Sequence, residues 1–452
     1  MIYSEYSVYT PDSPFSEKLV PQTRVKVDTL AKKYGMRKAV EEEKEKCIVI
    51  SATDTDVCAY SIKNEHGNIY LYSSVRTLDT VFDMLVRDIE GGKVCDRSGR
   101  LPFSVPYTKD DIMRLFDIIY NTDGKVISGC HTYGTLGNGS DIKETDDRFL
   151  SETGKRACIL ELDMGVYSVF NPHHSGVDTL DDYTLSKIIS EAADFVSDGG
   201  IVSVCIHMSN PLQNASDNVF YRGNLGSNEK ARELISDGTP LNIKFRKTLE
   251  PTIRLLNALK KNGIPFMFRP LHEMNGGWFW WCVKQGGDVS LSKNTMHDFW
   301  KLFRRIVTED LGIDNAVWVY SPNYNGGWIE DVMYAYPGDE YVDIVGCDWY
   351  TGGNYEVNAD ESYSKVMQTG KPAALTEVGP SASLTIKDDS GNGIGYNYSC
   401  RELLEDMKRM EKDGFKLTYF LTWAWGLSIT GLGDGRQMMN DDMVITLEDL
   451  WK

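Results

Sequence analysis

The chain has 452 residues and a net charge of −18, with 41% hydrophobic and 25% charged residues, which is typical of a globular protein. This composition excludes a disordered or fibrous chain, and the negative charge argues against nucleic acid and anionic membrane surfaces as partners. No apolar run approaches the roughly 20 residues that a membrane-spanning helix needs. The nine cysteines form no Cys-x-x-Cys pair, so we expect neither a disulfide framework nor a zinc knuckle.

The first 107 residues differ from the rest of the chain. Their charge is nearly balanced, and they contain none of the ten tryptophans. Val57–Asn64 and Asn68–Ser74 predict a β-hairpin, and Leu78–Glu90 predicts an amphipathic helix. We expect residues 1–107 to form an N-terminal extension or a small α+β accessory region. The first 15 residues lack a signal peptide pattern, so we expect a cytoplasmic protein or a secreted one whose signal has been removed.

From residue 108 onward, short apolar segments alternate with longer amphipathic ones. Near-continuous apolarity over about five to eight residues is typical of parallel strands that are covered on both faces. Eight strands are predicted: Lys125–His131, Ala157–Met164, Ile201–Met208, Phe266–Glu273, Ala316–Asn323, Asp343–Tyr350, Ala373–Gly379 and Leu417–Ala424. Helices are predicted at Asp182–Val196, Phe245–Lys261 and Thr295–Val307. This alternation predicts an α/β fold, a (β/α)8 TIM barrel over residues 108–452.

Each predicted strand has a polar or aromatic residue at or near its carboxyl end, which a strand that only fills a core does not require. These residues are His131, Asp163, His207, Glu273, Asn323, Tyr350, Glu377 and Trp423. In (β/α)8 barrels the reacting groups lie at the carboxyl ends of the strands. The strand ends are therefore the first candidates for a functional site.

The segment Arg269–Trp281, RPLHEMNGGWFWW, places an acid among aromatic rings at the end of the fourth predicted strand. Partial desolvation by such rings would raise the pKa of Glu273 and keep it protonated, as a general acid requires. Indole rings also stack against sugar rings, while polar side chains bind their hydroxyl groups. This pattern favours carbohydrate chemistry.

A second carboxylate, Glu377, stands in the seventh predicted strand, AALTEVG. Acidic residues in buried parallel strands are rare unless they are paired or functional. At the mouth of a barrel, strands four and seven face each other across the axis. Glycoside hydrolysis uses two carboxylates that flank the scissile bond, which suits Glu273 and Glu377.

RPLHEMNGGWFWW followed by LTEVG resembles glycoside hydrolase family 26, whose best-known members are β-mannanases. Five further stretches fit the family in order: TGKRACILELDM, GGIVSVCIHMSNP, AVWVYSPN, YPGDEYVDIVGCDWY and YFLTW. The match runs from about residue 125 to residue 425. The resemblance implies a retaining endo-β-1,4-mannanase that acts on mannan, galactomannan or glucomannan by double displacement.

The resemblance also implies roles for single residues. Glu273 matches the acid/base and Glu377 the nucleophile, while Tyr350 matches a tyrosine that hydrogen-bonds the nucleophile. Asp348 is a weaker candidate for a polar contact. The implied substrate-binding residues are His207, Arg269, His272, Trp278, Tyr350 and Trp423.

No metal or cofactor is expected. Asp388–Gly393 begins like a calcium loop, but Ser399 occupies the twelfth position, where such loops need Glu. A metal-dependent hydrolase on this fold would need converging ligands such as His131, Asp163 and His207. Activity that survives a chelator would argue against that alternative.

The remaining alternatives concern substrate and class. A β-1,3-xylanase or a mixed-linkage β-glucanase would share the family, and a non-catalytic glycan-binding barrel would belong to a different functional class. Because both glutamates are present, we expect an enzyme. We expect its partner to be a β-mannan polysaccharide or oligosaccharide and the protein to be a monomer without nucleic-acid or membrane partners.

Overall fold

A computed structural model describes residues 2–12, 19–52, 56–103, 105–132, 142–164, 180–212, 223–283, 291–324, 326–327, 329–351 and 361–452. The backbone divides into two compact units. The first comprises Met1–Val105, Leu180–Ala193 and Lys261–Gly263, and the second Pro106–Thr179, Asp194–Lys260 and Ile264–Lys452. The first unit thus includes two short segments that lie outside residues 1–107. No helix within the described ranges is long and apolar enough to cross a membrane.

The first unit contains a mixed β-sheet and two helices. Its described strands are β1 (Ser7–Tyr9), β2 (Arg37–Lys38), β3 (Cys47–Ala52), β4 (Ala59–Glu65), β5 (Asn68–Ser73) and β6 (Arg97–Arg100), and its long helices are α1 (Leu19–Tyr34) and α2 (Leu78–Glu90). The strand order is β2-β1-β3-β5-β4-β6, with β4 antiparallel to both neighbours. Alternate residues of β3 and β5 pack with the apolar stripe of α2 in one core.

The predicted hairpin and helix of the first unit are present. β4 and β5 pair antiparallel around a turn in which His66 and Gly67 both have positive φ, at 50° and 88°. That backbone matches the right-handed twist of the flanking strands, and glycine adopts it without steric cost. Helix α2 spans the predicted residues.

Eight parallel strands of the second unit form a closed barrel, which confirms the predicted fold. They are β7 (Val126–His131), β8 (Ile159–Asp163), β9 (Ile201–Cys205), β10 (Phe266–Arg269), β11 (Ala316–Tyr320), β12 (Ile344–Thr351), β13 (Ala373–Pro380) and β16 (Tyr419–Thr422). Each pairs with the next in chain order, and β16 closes the barrel on β7 with Tyr419 opposite Ile127. Outside this ring lie a hairpin of β14 (Thr385–Lys387) and β15 (Gly393–Tyr396), and the short strand β17 (Val444–Ile445) beside β7.

Helices alternate with these strands. They are α3 (Lys109–Tyr120), α4 (Ile142–Thr153), α5 (Asp182–Ser197), α6 (Asn228–Ile235), α7 (Pro240–Thr248), α8 (Glu250–Lys261), α9 (Lys293–Arg304), α10 (Ser362–Met367), α11 (Cys400–Lys412) and α12 (Gly435–Met439). The residues of α5 up to Ala193 belong to the first unit. Local sequence fixes several starts. Thr108 and Asp111 form a capping box at α3, and the Ser292 hydroxyl accepts the Thr295 N–H at α9.

Two predicted helices have different bounds. The segment Phe245–Lys261 is not one helix, because α7 ends at Thr248 and α8 begins at Glu250. Pro251 explains the break, since it has no N–H to continue the hydrogen-bond ladder. The predicted Thr295–Val307 begins earlier, at Lys293, and α9 passes into a wider π-helical turn at Arg305.

Several strand ends were also predicted too late. β10 ends at Arg269 rather than at Glu273, since Pro270 cannot donate a hydrogen bond to the ladder. β9, β11 and β16 likewise end before His207, Asn323 and Trp423. These polar and aromatic residues therefore lie in the loops just beyond the strands, still at the carboxyl end of the barrel.

Candidate active site

Arg269, the last residue of β10, is buried at the carboxyl end of the barrel and contacts three carboxylates. Its Nη2 donates to Glu161 Oε2 at 2.7 Å and to Glu377 Oε2 at 2.8 Å, and its Nη1 donates to Asp348 Oδ2 at 3.1 Å. A charge buried this deeply is tolerated only when it is paired and hydrogen-bonded. Arg269 is thus the common partner that draws acidic side chains from β8, β12 and β13 together.

Glu377 in β13 is held as an ionised carboxylate. Its Oε2 accepts from Arg269, its Oε1 accepts from the Tyr350 hydroxyl, and His131 Nε2 lies 3.5 Å from Oε2. Burial alone would raise the pKa of Glu377, but Arg269, His131 and Tyr350 outweigh it and hold the pKa well below its usual range. An ionised, oriented carboxylate is the form that a nucleophile requires.

His131 and Glu161 balance the charges of this cluster. The sequence indicated His131 only as a strand end and as a possible metal ligand, and it did not indicate Glu161. Burial would lower the pKa of His131, but Glu161 and Glu377 raise it to about 9. Its Nε2–H therefore donates to Glu161 Oε2 at 2.6 Å, and its 3.0 Å approach to Arg269 Nη2 brings two cations together. Two cations thus face two ionised carboxylates. The available sequence signal was a polar residue within each of the apolar runs VISGCH and ILELD.

Asp348 is buried in β12 and connects the residues around Glu377 with those around Glu273. Its Oδ1 accepts from the hydroxyl groups of Ser321, at 2.6 Å, and Thr376, at 2.8 Å. Burial raises the pKa of Asp348 to about 7, although Arg269 opposes this rise. The carbonyl oxygen of the same Ser321 accepts the backbone N–H of Glu273 at 2.7 Å. The peptide of Glu273 is therefore tied to the residues that surround Glu377.

Glu273 lies in a strained turn after β10. Its φ is +50° and that of Leu271 is +55°, values that side chains other than glycine adopt rarely and at a conformational cost. Trp278 Nε1–H donates to Glu273 Oε2 at 2.6 Å. Burial, together with Asp348 and Glu377 nearby, raises the pKa of Glu273 well above its usual range, which the Trp278 bond only partly opposes. This carboxyl group keeps its proton where Glu377 has lost its own.

A chain of side chains links Asp163, His207 and His272. Asp163 Oδ2 lies 2.6 Å from His207 Nδ1, and His207 Nε2 lies 3.2 Å from His272 Nε2. Asp163 accepts from His207 Nδ1, so His207 presents its Nε2 to His272. Burial lowers the pKa of His272 well below its usual range, so His272 is neutral. The predicted site included both histidines but not Asp163.

The aromatic residues after Glu273 divide into two groups. Trp280 and Trp281 are buried and donate through Nε1 to the carbonyl oxygens of Met208 and His272, so they anchor the loop. Trp278 is only partly buried and lies on the acid. A Cβ at Gly276 would come within 2.2 Å of the Trp278 ring, which explains the glycine there.

Trp423 forms another part of the site, just after β16. Its ring centroid lies 3.9 Å from that of His131 and 5.7 Å from that of His207. All eight predicted site residues thus lie at the carboxyl end of the barrel. These residues are His207, Arg269, His272, Glu273, Trp278, Tyr350, Glu377 and Trp423.

Two groups of potential metal ligands occur within the described residues. One comprises His131, Glu161 and Cys205, and the other Asp163, Cys205 and His207. In each group the carboxylate already accepts from an imidazole, and Glu161 also accepts from Arg269. The three ligands of the metal-hydrolase alternative do not fall into a single group. The calcium-like Asp388–Gly393 is the turn of the β14–β15 hairpin, where Asp388 Oδ1 accepts the backbone N–H groups of Ser390 and Asn392.

Comparison with known proteins places this site in a family. The sequence pattern of glycosyl hydrolase family 26 matches residues 105–424. The chain belongs to glycosyl hydrolase family 26, and the resemblance seen in the sequence is confirmed.

Individual relatives agree with this assignment. A Bacillus subtilis protein named mannan endo-1,4-beta-mannosidase is 28% identical over 354 residues, which cover 76% of this chain and 87% of the relative. A protein of Caldalkalibacillus mannanilyticus, mannan endo-1,4-beta-mannosidase A and B, is 31% identical over 256 residues, 56% of this chain and 46% of the relative. The solved structure of a Bacillus subtilis mannanase shares the fold with a TM-score of 0.61 at 24% identity, over 76% of this chain and 93% of that one.

Proposed function

We propose that this glycoside hydrolase is an endo-β-1,4-mannanase that cleaves mannan, galactomannan or glucomannan with retention of configuration. The observation that carries the proposal is the contrast between two buried glutamates. Arg269 and its neighbours hold the pKa of Glu377 low, while burial raises the pKa of Glu273. One ionised and one protonated carboxyl group are what this chemistry needs. The choice of mannan rests on the relatives that are named mannan endo-1,4-beta-mannosidase.

In the first proposed step, Glu377 attacks the anomeric carbon while Glu273 donates its proton to the glycosidic oxygen. A bond forms between a Glu377 oxygen and the anomeric carbon, the glycosidic bond breaks, and the leaving chain departs as an alcohol. Tyr350 and Arg269 hold the attacking carboxylate in a fixed orientation. The strained turn at Glu273 and the hydrogen bond from Trp278 orient the carboxyl group of the acid.

In the second step, Glu273 has lost its proton and acts as a base. It accepts a proton from a water molecule, whose oxygen attacks the anomeric carbon and releases Glu377 as a carboxylate. Each step inverts the anomeric carbon, so the product keeps the configuration of the substrate. The pKa of Glu273 falls once Glu377 is bonded to the anomeric carbon, because the neighbouring negative charge is then gone, and this suits the change of role.

The remaining predicted residues bind the sugar in this proposal. His207 Nδ1 donates to Asp163, and the buried His272 contacts His207 through the two Nε2 atoms. Trp278 and Trp423 offer indole faces near the acid and near His131. Aromatic faces stack on sugar rings, and the partly exposed His207 ring contacts the sugar beside them, which together fix the ring at the reacting carbon.

The test is a product profile on linear mannan, galactomannan, lichenan and β-1,3-xylan. We expect depolymerisation of the two mannans with internal cleavage, seen as a fast fall in viscosity before reducing ends accumulate. Cleavage of lichenan or β-1,3-xylan with mannans untouched would contradict mannan as the substrate, but it would not contradict the family assignment. Binding without products would favour a glycan-binding barrel, and loss of activity with EDTA would favour a metal-dependent hydrolase.

The roles of the two glutamates are tested separately with azide. Glu377→Ala removes the nucleophile, so azide should restore activity by direct attack and give a product of inverted configuration. Glu273→Ala keeps the nucleophile, so an aryl glycoside with a good leaving group should still react, and azide should give a product of retained configuration. The opposite pairing of stereochemistry and substitution would show that the roles are reversed. Near-normal activity of either variant on mannan would contradict both roles.

We also propose that residues 1–107 act as a scaffold and not as a polysaccharide-binding module. Arg76 Nη1 donates to the carbonyl oxygen of Ser190, which lies in Leu180–Ala193, part of the same compact unit. Deletion of residues 1–107 would remove the partners of that segment. We expect the shortened protein to lose solubility or thermal stability before its substrate preference changes. Tight binding of mannan by the isolated fragment would contradict this role.

A further inference from the structure

Trp425 is held in an unusual conformation near the mouth of the barrel. Its φ is +52° and its side chain is 40% exposed. Bulky side chains rarely adopt left-handed backbone, and such a residue persists only where its surroundings impose it. Exposure of an indole ring is also unfavourable in water. The positive φ and the exposure together indicate that the Trp425 side chain contacts a ligand.

The segment after Trp425 fixes its backbone. The carbonyl oxygen of Trp425 accepts from the backbone N–H of Ser428 at 3.0 Å and from its hydroxyl group at 2.7 Å. A Cβ at Gly431 would lie only 1.9 Å from the same carbonyl oxygen, so the close approach requires glycine. The side chains of Ser428 and Ile429 are buried and hold the segment after Trp425 in place. The backbone of Trp425 is therefore fixed before a ligand binds, which lowers the ordering cost of stacking on its side chain.

The same segment lies close to the nucleophile side of the proposed cleft. A Cβ at Gly379 would lie 3.1 Å from the Tyr350 ring and 3.9 Å from Leu427 Cδ2, so Leu427 lies near the tyrosine that donates to Glu377. Gly426 lies near the ring of Tyr396 in the β14–β15 hairpin. Trp425 follows Trp423, which contacts His131, by two residues. The exposed indole thus belongs to the segment that follows Trp423 at the carboxyl end of the barrel.

We propose that Trp425 forms a further subsite, in which its ring stacks on a sugar unit of the bound glycan at least one residue away from the cleaved bond. The proposal rests on the proposed glycan hydrolysis and adds a determinant of chain-length preference. Aromatic rings bind the apolar face of a sugar with little demand on its hydroxyl pattern. Trp425 would consequently contribute to affinity for long substrates and not to the chemical step.

The test compares the wild type with Trp425→Ala and Trp425→Phe on β-1,4-manno-oligosaccharides from three to six units. For Trp425→Ala we expect kcat/KM on the hexasaccharide to fall about tenfold, equal to about 1.4 kcal/mol of transition-state binding. On the trisaccharide, kcat/KM should change by less than about twofold. The phenylalanine variant should recover most of the loss, because it keeps a flat ring.

Trp451 supplies the matched control. Its exposure is 41%, but its Nε1 donates to the carbonyl oxygen of Gly199, before β9 and thus at the amino end of the barrel. Trp451→Phe should leave the length dependence unchanged. Equal loss on all lengths in Trp425→Ala would overturn the proposal, because it would place Trp425 in support of the reacting centre, and so would no loss on any length. If the wild type cleaves another glycan instead of mannan, the proposed substrate fails, and the same length series on that glycan tests the subsite.

Discussion

Tyr350→Phe isolates one hydrogen bond to the proposed nucleophile. The hydroxyl group of Tyr350 donates to Glu377 Oε1, while Arg269 continues to donate to Oε2. A hydrogen bond to an ionised group contributes about 1.5–3 kcal/mol, and one pKa unit corresponds to about 1.4 kcal/mol. Its loss should therefore raise the pKa of Glu377 by about one to two units, from a starting value of about 2. Glu377 stays ionised at neutral pH because Arg269 remains.

The expected result is a shift of the acidic limb of the pH profile of kcat/KM. Protonation of Glu377 removes the nucleophile, so a higher pKa moves that limb to higher pH by the same one to two units. Burial and Glu377 raise the pKa of Tyr350 well above its usual range, so this hydroxyl group stays protonated throughout the assay. The profile is measured on a soluble manno-oligosaccharide between about pH 2 and pH 8, so that the shifted limb of the variant falls inside the range.

Tyr320→Phe is the matched control for this measurement. The Tyr320 hydroxyl is also buried, but it donates to the carbonyl oxygen of Val332 at 2.7 Å, away from Glu377. The control should lose stability by about 1 kcal/mol without moving the acidic limb. An unchanged limb in Tyr350→Phe, or the same shift in both variants, would refute the idea that this bond sets the ionisation of Glu377.

Two further perturbations follow from the same cluster. Asp163→Asn weakens the acceptor for His207 Nδ1–H and should raise KM about tenfold with a smaller fall in kcat, as steady-state kinetics would show; an equal fall in kcat with unchanged KM would contradict a role in sugar binding. Stability should decline as pH rises, because the pKa of His131 is raised from 6.5 to about 9 in the folded state, so its contribution is complete below pH 6.5 and is lost as pH rises through about 9. Urea unfolding at pH 6 and at pH 10 should show a loss of at most about 3 kcal/mol in the free energy of unfolding. His131→Gln should reduce the dependence of this free energy on pH. An equally strong dependence in the variant would assign it to other groups.

The sequence was informative where local chemistry determines structure. Near-continuous apolar runs located all eight barrel strands, and the turn residues His66 and Gly67 located the hairpin of the first unit. Local patterns also showed where the chain changes direction, although Pro251 and Pro270 were overlooked. Each of these prolines ended an element earlier than the apolar pattern alone suggested.

The parts of the site that sequence reasoning missed depend on contacts between distant strands. Glu161 comes from β8 and His131 from β7. Each becomes part of the site only because the closed barrel brings it into contact with Arg269 of β10. The spacing of these residues along the chain does not indicate that they contact Arg269. Trp280 and Trp281 illustrate the reverse case, since their position beside Glu273 suggested a sugar platform, but both rings are buried and anchor the loop.

The configuration of the first product is the most direct test of the central claim, that Glu377 and Glu273 cleave β-1,4-mannan by double displacement. Proton NMR of a manno-oligosaccharide digest, recorded before mutarotation equilibrates the new reducing ends, identifies the anomer that the enzyme releases. We predict that the β-anomer appears first and that the α-anomer grows in later at the rate of spontaneous mutarotation. Initial release of the α-anomer would contradict the account, because it would require a single displacement by water and leave Glu377 without a nucleophilic role.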